Sequence, residues 1–81
     1  MKRGAKPKPR TTPVGKRLFT LREERGLTLD QAAERWGTSK ASLARYETGR
    51  DFLPSKAAIR IARVEKVSLD WLFAMDERRV R

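Results

Sequence analysis

The 81-residue chain contains no cysteine and no histidine. Without cysteine it has neither a disulfide framework nor a thiolate metal site. Without histidine it lacks the commonest metal ligand and general base. No apolar run approaches the roughly 20 residues of a membrane span, and the basic start resembles no signal peptide. These absences argue against an enzyme, a metal or cofactor site and a membrane protein, and they predict a cytoplasmic protein.

Positive charge is what the chain has in excess. Its 20 lysine and arginine residues outnumber its 10 aspartate and glutamate residues, so the formal net charge is +10. Charge of this size favours a polyanionic partner such as DNA, RNA or an anionic membrane surface. The plainer alternative is a basic protein whose charges are merely solvated.

Residues 1–12 combine five basic residues and two prolines with no acidic residue. With no large apolar side chain after Met1, this segment does not offset its own ordering entropy, so we predict a flexible basic arm. The arm could enter a minor groove, or it could be a tether that adds charge without sequence preference. The residues of the arm that are candidates for contact with nucleic acid are Lys2, Arg3, Lys6, Lys8 and Arg10.

Helical spacing of apolar residues after the arm predicts an all-α fold, a compact bundle of about five short helices over residues 13–76, with a polar tail over 77–81. Thr12 and Pro13 begin helix 1, which spans about 13–25. Helix 2 begins with the capping box of Thr28 and Gln31 and ends at Gly37.

Helix 3 is capped by Thr38 or Ser39 and runs through Glu47. A loop over 50–55 follows, in which we expect Phe52 and Leu53 to enter the core. The two remaining helices begin at Pro54–Ser55 and after Ser68. The expected buried stripe of helix 4 consists of Ala58, Ile59, Ala62 and either Ile61 or Val64. The residues expected to supply apolar bulk in helix 5 are Leu69, Trp71, Leu72 and Met75.

The segment from 28 to 48 has the spacing of a helix-turn-helix. Two helices that cross at a short turn need a small residue where their backbones approach, and Ala33 occupies that place. Gly37 supplies a residue that tolerates positive φ. Leu43 and Tyr46 lie at positions from which they can anchor helix 3 on helix 2.

The chain resembles the Cro and phage-repressor (XRE) class of helix-turn-helix regulators over about residues 14–74. The matching residues lie before, within and after the motif: Arg17, Leu18, Leu21, Arg22, 25–28, Ala33, Gly37, Ser39, Leu43, Arg45, Tyr46, Glu47, Gly49 and 67–72. The resemblance implies that Arg22 pairs with Glu47 and so connects helix 1 to helix 3, the recognition helix of this class. The residues with an expected structural role are Arg22, Ala33, Gly37, Leu43, Tyr46 and Glu47.

Several positions depart from the family pattern. Leu29 stands where a phosphate-contacting glutamine is usual. Ala32 replaces the usual leucine, and Trp36 is expected to fill the vacated volume. Glu65 and Lys66 stand where an apolar residue and a glycine are expected, so helix 4 could end differently.

The resemblance implies that helix 3 lies in the major groove of DNA. Arg45 is the first choice for a base contact, because a guanidinium can pair with guanine O6 and N7. The expected base contacts are Lys40, Ala41, Ser42, Ala44 and Arg45. The expected phosphate contacts are Lys16, Arg17, Thr28, Leu29, Ser39, Thr48 and Arg50.

These observations predict a sequence-specific regulator, bacterial or phage-encoded, that represses transcription as a dimer on a palindromic DNA operator. The helix 5 region, with Leu69, Leu72 and Phe73, is the expected interface. Two alternatives stay open at this point: an antitoxin-type module that binds a protein partner, and an RNA- or ribosome-associated protein. No membrane partner is expected.

Overall fold

The structure of the chain, a computed structural model, describes residues 12–75. Over that range it holds five helices and no strand: α1 Pro13–Glu24, α2 Leu29–Trp36, α3 Lys40–Thr48, α4 Ser55–Glu65 and α5 Leu69–Leu72. The predicted all-α fold is confirmed. The basic residues assigned to the arm (Lys2, Arg3, Lys6, Lys8 and Arg10) and the tail over 77–81 lie outside the described residues, so these two segments stay predictions.

Side-chain caps begin four of the five helices. Thr12 Oγ1 accepts a hydrogen bond from the Gly15 amide at 3.0 Å. Thr28 and Gln31 exchange both bonds of the predicted capping box, at 2.9 and 3.1 Å. Ser39, rather than Thr38, caps α3. Ser68 caps α5 as predicted. Each cap satisfies an amide that the first helical turn leaves without a partner, so these helix starts are set by local sequence.

The core lies where α1, α2 and α3 meet α4 and α5. Its largest fully buried side chains are Trp36, Leu18, Leu21, Leu43, Ile61 and Leu72. The predicted packing of α4 was partly wrong. Ile59 is 43% exposed, because the inward stripe of α4 runs through Ala58, Ile61, Ala62 and Glu65, and position 59 lies outside it.

Two further packing predictions were wrong in part. Phe52 is 93% exposed and Leu53 is buried, because the loop after α3 turns only one of these neighbouring side chains inward. Leu69 and Met75, two of the residues expected to supply bulk in helix 5, are 38% and 52% exposed, and Met75 lies beyond the end of α5 at Leu72. Leu72 is fully buried inside this chain, and it is therefore unavailable for the dimer contact assigned to it.

Helix 4 ends at Glu65 and keeps the left-handed turn of a glycine-ended helix, although its sequence suggested a different ending. Lys66 stands at the position expected for glycine and has a φ of 58°, in the left-handed region. The Val67 amide then donates to the Ala62 carbonyl at 3.1 Å, which closes the last turn. A lysine in this conformation is strained by about 1 kcal/mol or more. Residues 12–75 contain no candidate membrane-spanning helix.

Candidate nucleic-acid interface

The turn between α2 and α3 sets the angle of the two helices. Gly37 has φ 72° and ψ 35°. Its amide donates to the Glu34 carbonyl at 3.4 Å, and the Thr38 amide donates to the Ala33 carbonyl at 2.9 Å. This pair of bonds is a Schellman motif, which needs a residue with positive φ. A Cβ at Gly37 would also lie 2.7 Å from Arg60 Nε. Because Arg60 is an exposed and flexible side chain that can move aside, it is the positive φ that favours glycine here.

The third helix has a buried side and a solvent side. Leu43 is completely buried, and Tyr46 is half-buried against the core. Among the five residues predicted to contact bases, Lys40, Ala41 and Arg45 are exposed, while Ser42 and Ala44 are half-buried. The structure thus brings the three most accessible of these residues to one open face of α3.

Arg45 is held by an acidic residue of the following loop. Its Nε donates to Asp51 Oδ2 at 2.8 Å, and both side chains are about half exposed. The turn at Gly49 folds the chain back, so that the amides of Arg50 and Asp51 both donate to the Arg45 carbonyl, at 2.9 and 3.2 Å. Sequence reasoning did not single out Asp51. The available signal was an acidic residue just beyond a glycine that ends the recognition helix.

Lys40 has a looser acidic neighbour. Its Nζ lies 3.7 Å from Asp30 Oδ2, and the two side chains are 61% and 72% exposed. Exposed pairs at this distance contribute little free energy and are screened by salt. The Lys40 ammonium is therefore only weakly restrained on the open face of α3.

A bidentate ion pair ties α1 to α3, as the family resemblance implies. Arg22 Nε donates to Glu47 Oε2 at 2.7 Å, and Nη2 donates to Oε1 at 3.1 Å. Arg22 Nη1 also donates to the Leu27 carbonyl at 3.1 Å. The side chains of Arg22 and Glu47 are 14% and 9% exposed, and the bond to Glu47 raises the pKa of Arg22. Paired in this way, the end of the recognition helix is fixed to the body of the domain.

The residues predicted to contact phosphate have different surroundings. Lys16 is exposed on α1, whereas Arg17 Nη1 donates to the Trp71 carbonyl at 2.8 Å and its guanidinium lies 5.0 Å from the centre of the Trp71 ring. Arg17 therefore contacts α5, and Lys16 is the more accessible of the two cations. Among the other candidates, Thr28, Ser39 and Arg50 are exposed, and Leu29 and Thr48 are half-buried.

The hydroxyls of these candidates already make bonds within the protein. Thr28 and Ser39 accept from the amides of their own helices, and Thr48 Oγ1 donates to the Ala44 carbonyl at 2.9 Å. A hydroxyl that accepts a cap bond can still donate its proton to a phosphate oxygen. Thr28 and Ser39 thus keep a donor, whereas the Thr48 proton is engaged.

The buried carboxylate of Glu65 accepts hydrogen bonds from the C-terminal part of α2. Glu65 Oε2 accepts from Trp36 Nε1 at 2.7 Å and from Arg35 Nε, and Oε1 accepts from Arg25 Nε at 2.8 Å. The Glu65 side chain is 1% exposed. Burial raises the pKa of this carboxyl, but the hydrogen bonds from Arg35, Trp36 and Arg25 outweigh it and lower the pKa to about 2. Glu65 therefore stays ionised and connects α4 to α2 and to the end of α1.

Sequence reasoning noted Glu65 as a departure from the family but assigned it no role. The signal that pointed to one was an acidic residue at an inward position of α4, with two arginines and a tryptophan elsewhere in the chain.

Within residues 12–75, no group of three or more acidic side chains could hold a metal ion.

A family model described as "Helix-turn-helix domain" matches residues 13–70. The chain belongs to the helix-turn-helix domain family. One relative in this family is a provisionally assigned HTH-type transcriptional regulatory protein of Pyrococcus abyssi (strain GE5 / Orsay), which is 42% identical over 50 residues. That match covers 62% of this chain but only 16% of the Pyrococcus protein, so the chain spans a small part of that relative.

Two solved helix-turn-helix structures have closely similar folds. SinR, a master regulator for biofilm formation in a crystal structure with DNA, has a TM-score of 0.68 and 30% identity, covering 74% of this chain and 97% of the SinR chain. ClgR, the clp gene regulator from C. glutamicum, has a TM-score of 0.69 and 22% identity, covering 94% of this chain and 97% of that chain. The resemblance to XRE-class helix-turn-helix regulators is confirmed.

Proposed function

We propose that this helix-turn-helix protein is a sequence-specific DNA-binding repressor that acts as a dimer on a palindromic operator. The observation that carries the proposal is the two-sided recognition helix. Its inner side is anchored by Leu43 and by the Glu47–Arg22 pair, while Lys40, Ala41 and Arg45 are exposed together on its outer side. A single α-helix fits the major groove of B-DNA, and rigid support behind it lets short side chains read base edges.

The side chains on the outer face suit base recognition. A guanidinium such as Arg45 matches guanine O6 and N7, and a small apolar residue such as Ala41 suits a thymine methyl group. Ser42 and Ala44, which are half-buried, are the secondary candidates for base contacts. Lys16 and Arg50 would add phosphate contacts that set affinity and its salt dependence without specifying sequence.

The dimer is proposed from an apolar surface beside α5. Leu72 is excluded from it by burial, whereas Leu69 is 38% exposed and Phe73 is half-buried. A groove of about 130 Å³ lies between Phe73 and the almost fully exposed Phe52, with Val14 also lining it. A second copy of the chain, related by a twofold axis, would cover these side chains and place two recognition helices about one turn of DNA apart.

The proposal is tested by selecting bound duplexes from a random pool at about 150 mM salt, which suppresses purely ionic binding. Enrichment of an inverted repeat with half-sites about 10 base pairs apart supports a dimeric sequence-specific regulator. Binding without enrichment, or displacement of the DNA by structured RNA, contradicts it. A reporter with the selected site overlapping its promoter should lose expression when the protein is supplied, and increased expression would contradict the repressor role.

The dimer is tested with Phe52→Ser in sedimentation and binding assays. This variant should sediment as a monomer and lose about tenfold or more in affinity for the inverted repeat, while binding to a single half-site is retained. Ile59→Ser is the matched control, because Ile59 is also an exposed apolar residue but lies on α4. Dimerisation unchanged in Phe52→Ser would exclude this surface.

A further inference from the structure

We infer that Asp51 is a positioning residue that presents the Arg45 guanidinium to guanine. The inference rests on the proposed function, in which Arg45 reads a base, and it adds a specificity-determining residue from outside the recognition helix. It starts from the 2.8 Å hydrogen bond from Arg45 Nε to Asp51 Oδ2.

The backbone holds the two residues together. Gly49 ends α3 with a φ of 80°, and the chain then reverses. The Arg45 carbonyl accepts hydrogen bonds from both the Arg50 and Asp51 amides, at 2.9 and 3.2 Å. These bonds fix the Asp51 backbone beside the residue whose side chain it contacts. The helix-ending turn thereby places the Asp51 carboxylate within reach of Arg45, and what remains to be ordered when the ion pair forms is the two side chains alone.

The atom that Asp51 binds determines which donors remain for DNA. A guanidinium carries five N–H donors, one on Nε and four on the two terminal nitrogens. With Nε–H directed at Asp51, Nη1 and Nη2 form a pair of donors at the end of the side chain. Such a pair matches the O6 and N7 acceptors of guanine. The carboxylate thus selects an end-on approach and removes the alternative approach through Nε.

The negative charge of Asp51 also has different effects on base contacts and on phosphate contacts. A carboxylate beside Arg45 offsets part of its positive charge and is repelled by phosphates, so it weakens ionic attraction to any DNA sequence. The directional bonds to guanine are kept. The charge of Asp51 therefore lowers the affinity for every duplex alike, whereas its hydrogen bond to Nε favours the guanine contact. The Lys40–Asp30 pair, at 3.7 Å and more than 60% exposed on each side, has no comparable geometry.

The experiment measures the affinity ratio between the selected operator and the same operator with the Arg45-dependent G·C pair changed to A·T. Arg45→Ala first identifies that pair as the position whose preference is lost. Asp51→Ala should reduce the ratio by about threefold to tenfold, the range for one charge-assisted but exposed hydrogen bond, and should bind the changed site more tightly than the unaltered protein does. Asp51→Asn should keep the ratio within about twofold, since its amide oxygen also accepts from Nε. Asp70→Ala, the same substitution on α5, is the control and should leave the ratio unchanged.

The outcomes separate this inference from the proposed function. If Arg45→Ala abolishes the preference but Asp51→Ala leaves the affinity ratio unchanged, the positioning role of Asp51 is overturned. The proposed function as a DNA-binding regulator is not affected by that result. Equal reductions of the ratio in Asp51→Ala and Asp51→Asn also overturn it, because the hydrogen-bond acceptor that asparagine keeps would then contribute nothing. If the Arg45→Ala/Asp51→Ala double variant matches Arg45→Ala alone, Asp51 acts through Arg45 as inferred, and a further loss overturns it. If Arg45→Ala changes no preference, the inference falls, while an enriched inverted repeat still supports the regulator.

Discussion

Replacing Glu65 with glutamine should lower the stability of the domain at neutral pH and make it less sensitive to acid. In the folded protein the pKa of Glu65 is lowered from 4.5 to about 2. A carboxylate whose pKa is lowered by folding stabilises the folded state above its unfolded pKa. That stabilisation is lost as the pH falls from about 4.5 toward 2.

The magnitude follows from the same two pKa values. The full difference between them corresponds to at most about 3 kcal/mol at pH 7. The side chains of Arg25 and Arg35 are 34% and 47% exposed, so water screens part of their interaction with Glu65. We therefore expect Glu65→Gln to cost about 1 to 3 kcal/mol at pH 7. The cost should roughly halve by pH 3, because the unfolded chain is then protonated at this position.

Urea unfolding followed by circular dichroism from pH 7 to pH 3 measures this dependence. Glu34→Gln is the matched control, because Glu34 is exposed on α2, and its cost should be small at every pH. A Glu65→Gln cost that stays constant with pH, or that equals the cost of Glu34→Gln, would refute the reasoning. An NMR titration of the Glu65 carboxyl carbon in the unaltered chain locates the pKa directly and requires no variant.

Three further changes have defined outcomes. Lys66→Gly should raise stability by about 0.5 to 1 kcal/mol in thermal unfolding, since it relieves a φ of 58°, whereas Lys66→Ala should give no gain; equal effects would contradict the strain argument. Glu47→Gln should lower stability by about 1 to 2 kcal/mol by weakening the bond to Arg22, and an unchanged urea midpoint would show that the pair contributes nothing. Removal of residues 1–11 should weaken binding to all duplexes and flatten its salt dependence, whereas a changed sequence preference would mean that the arm reads bases.

The features that could be predicted from sequence are those set by neighbouring residues. The capping box of Thr28 and Gln31 and the turn at Gly37 depend on residues three or four positions apart, and the structure has both. The outward side of α3 follows from helical periodicity in the same way. The exposure of Phe52 and the pairing of Asp51 with Arg45 depend on how a loop turns after the helix. No periodic pattern encodes that direction, so these features required the structure.

The unusual residues of the core act as one connected set. Ala32 and Trp36 lie one turn apart on the buried side of α2, so the large indole occupies space beside a small residue. A buried indole N–H needs an acceptor, and Glu65 supplies it from α4 at 2.7 Å. A buried carboxylate needs compensating charge in turn, which Arg25 and Arg35 provide. Each departure from the family pattern thus creates the requirement that the next one meets, and Trp36 and Glu65 are expected to tolerate replacement together better than either does alone.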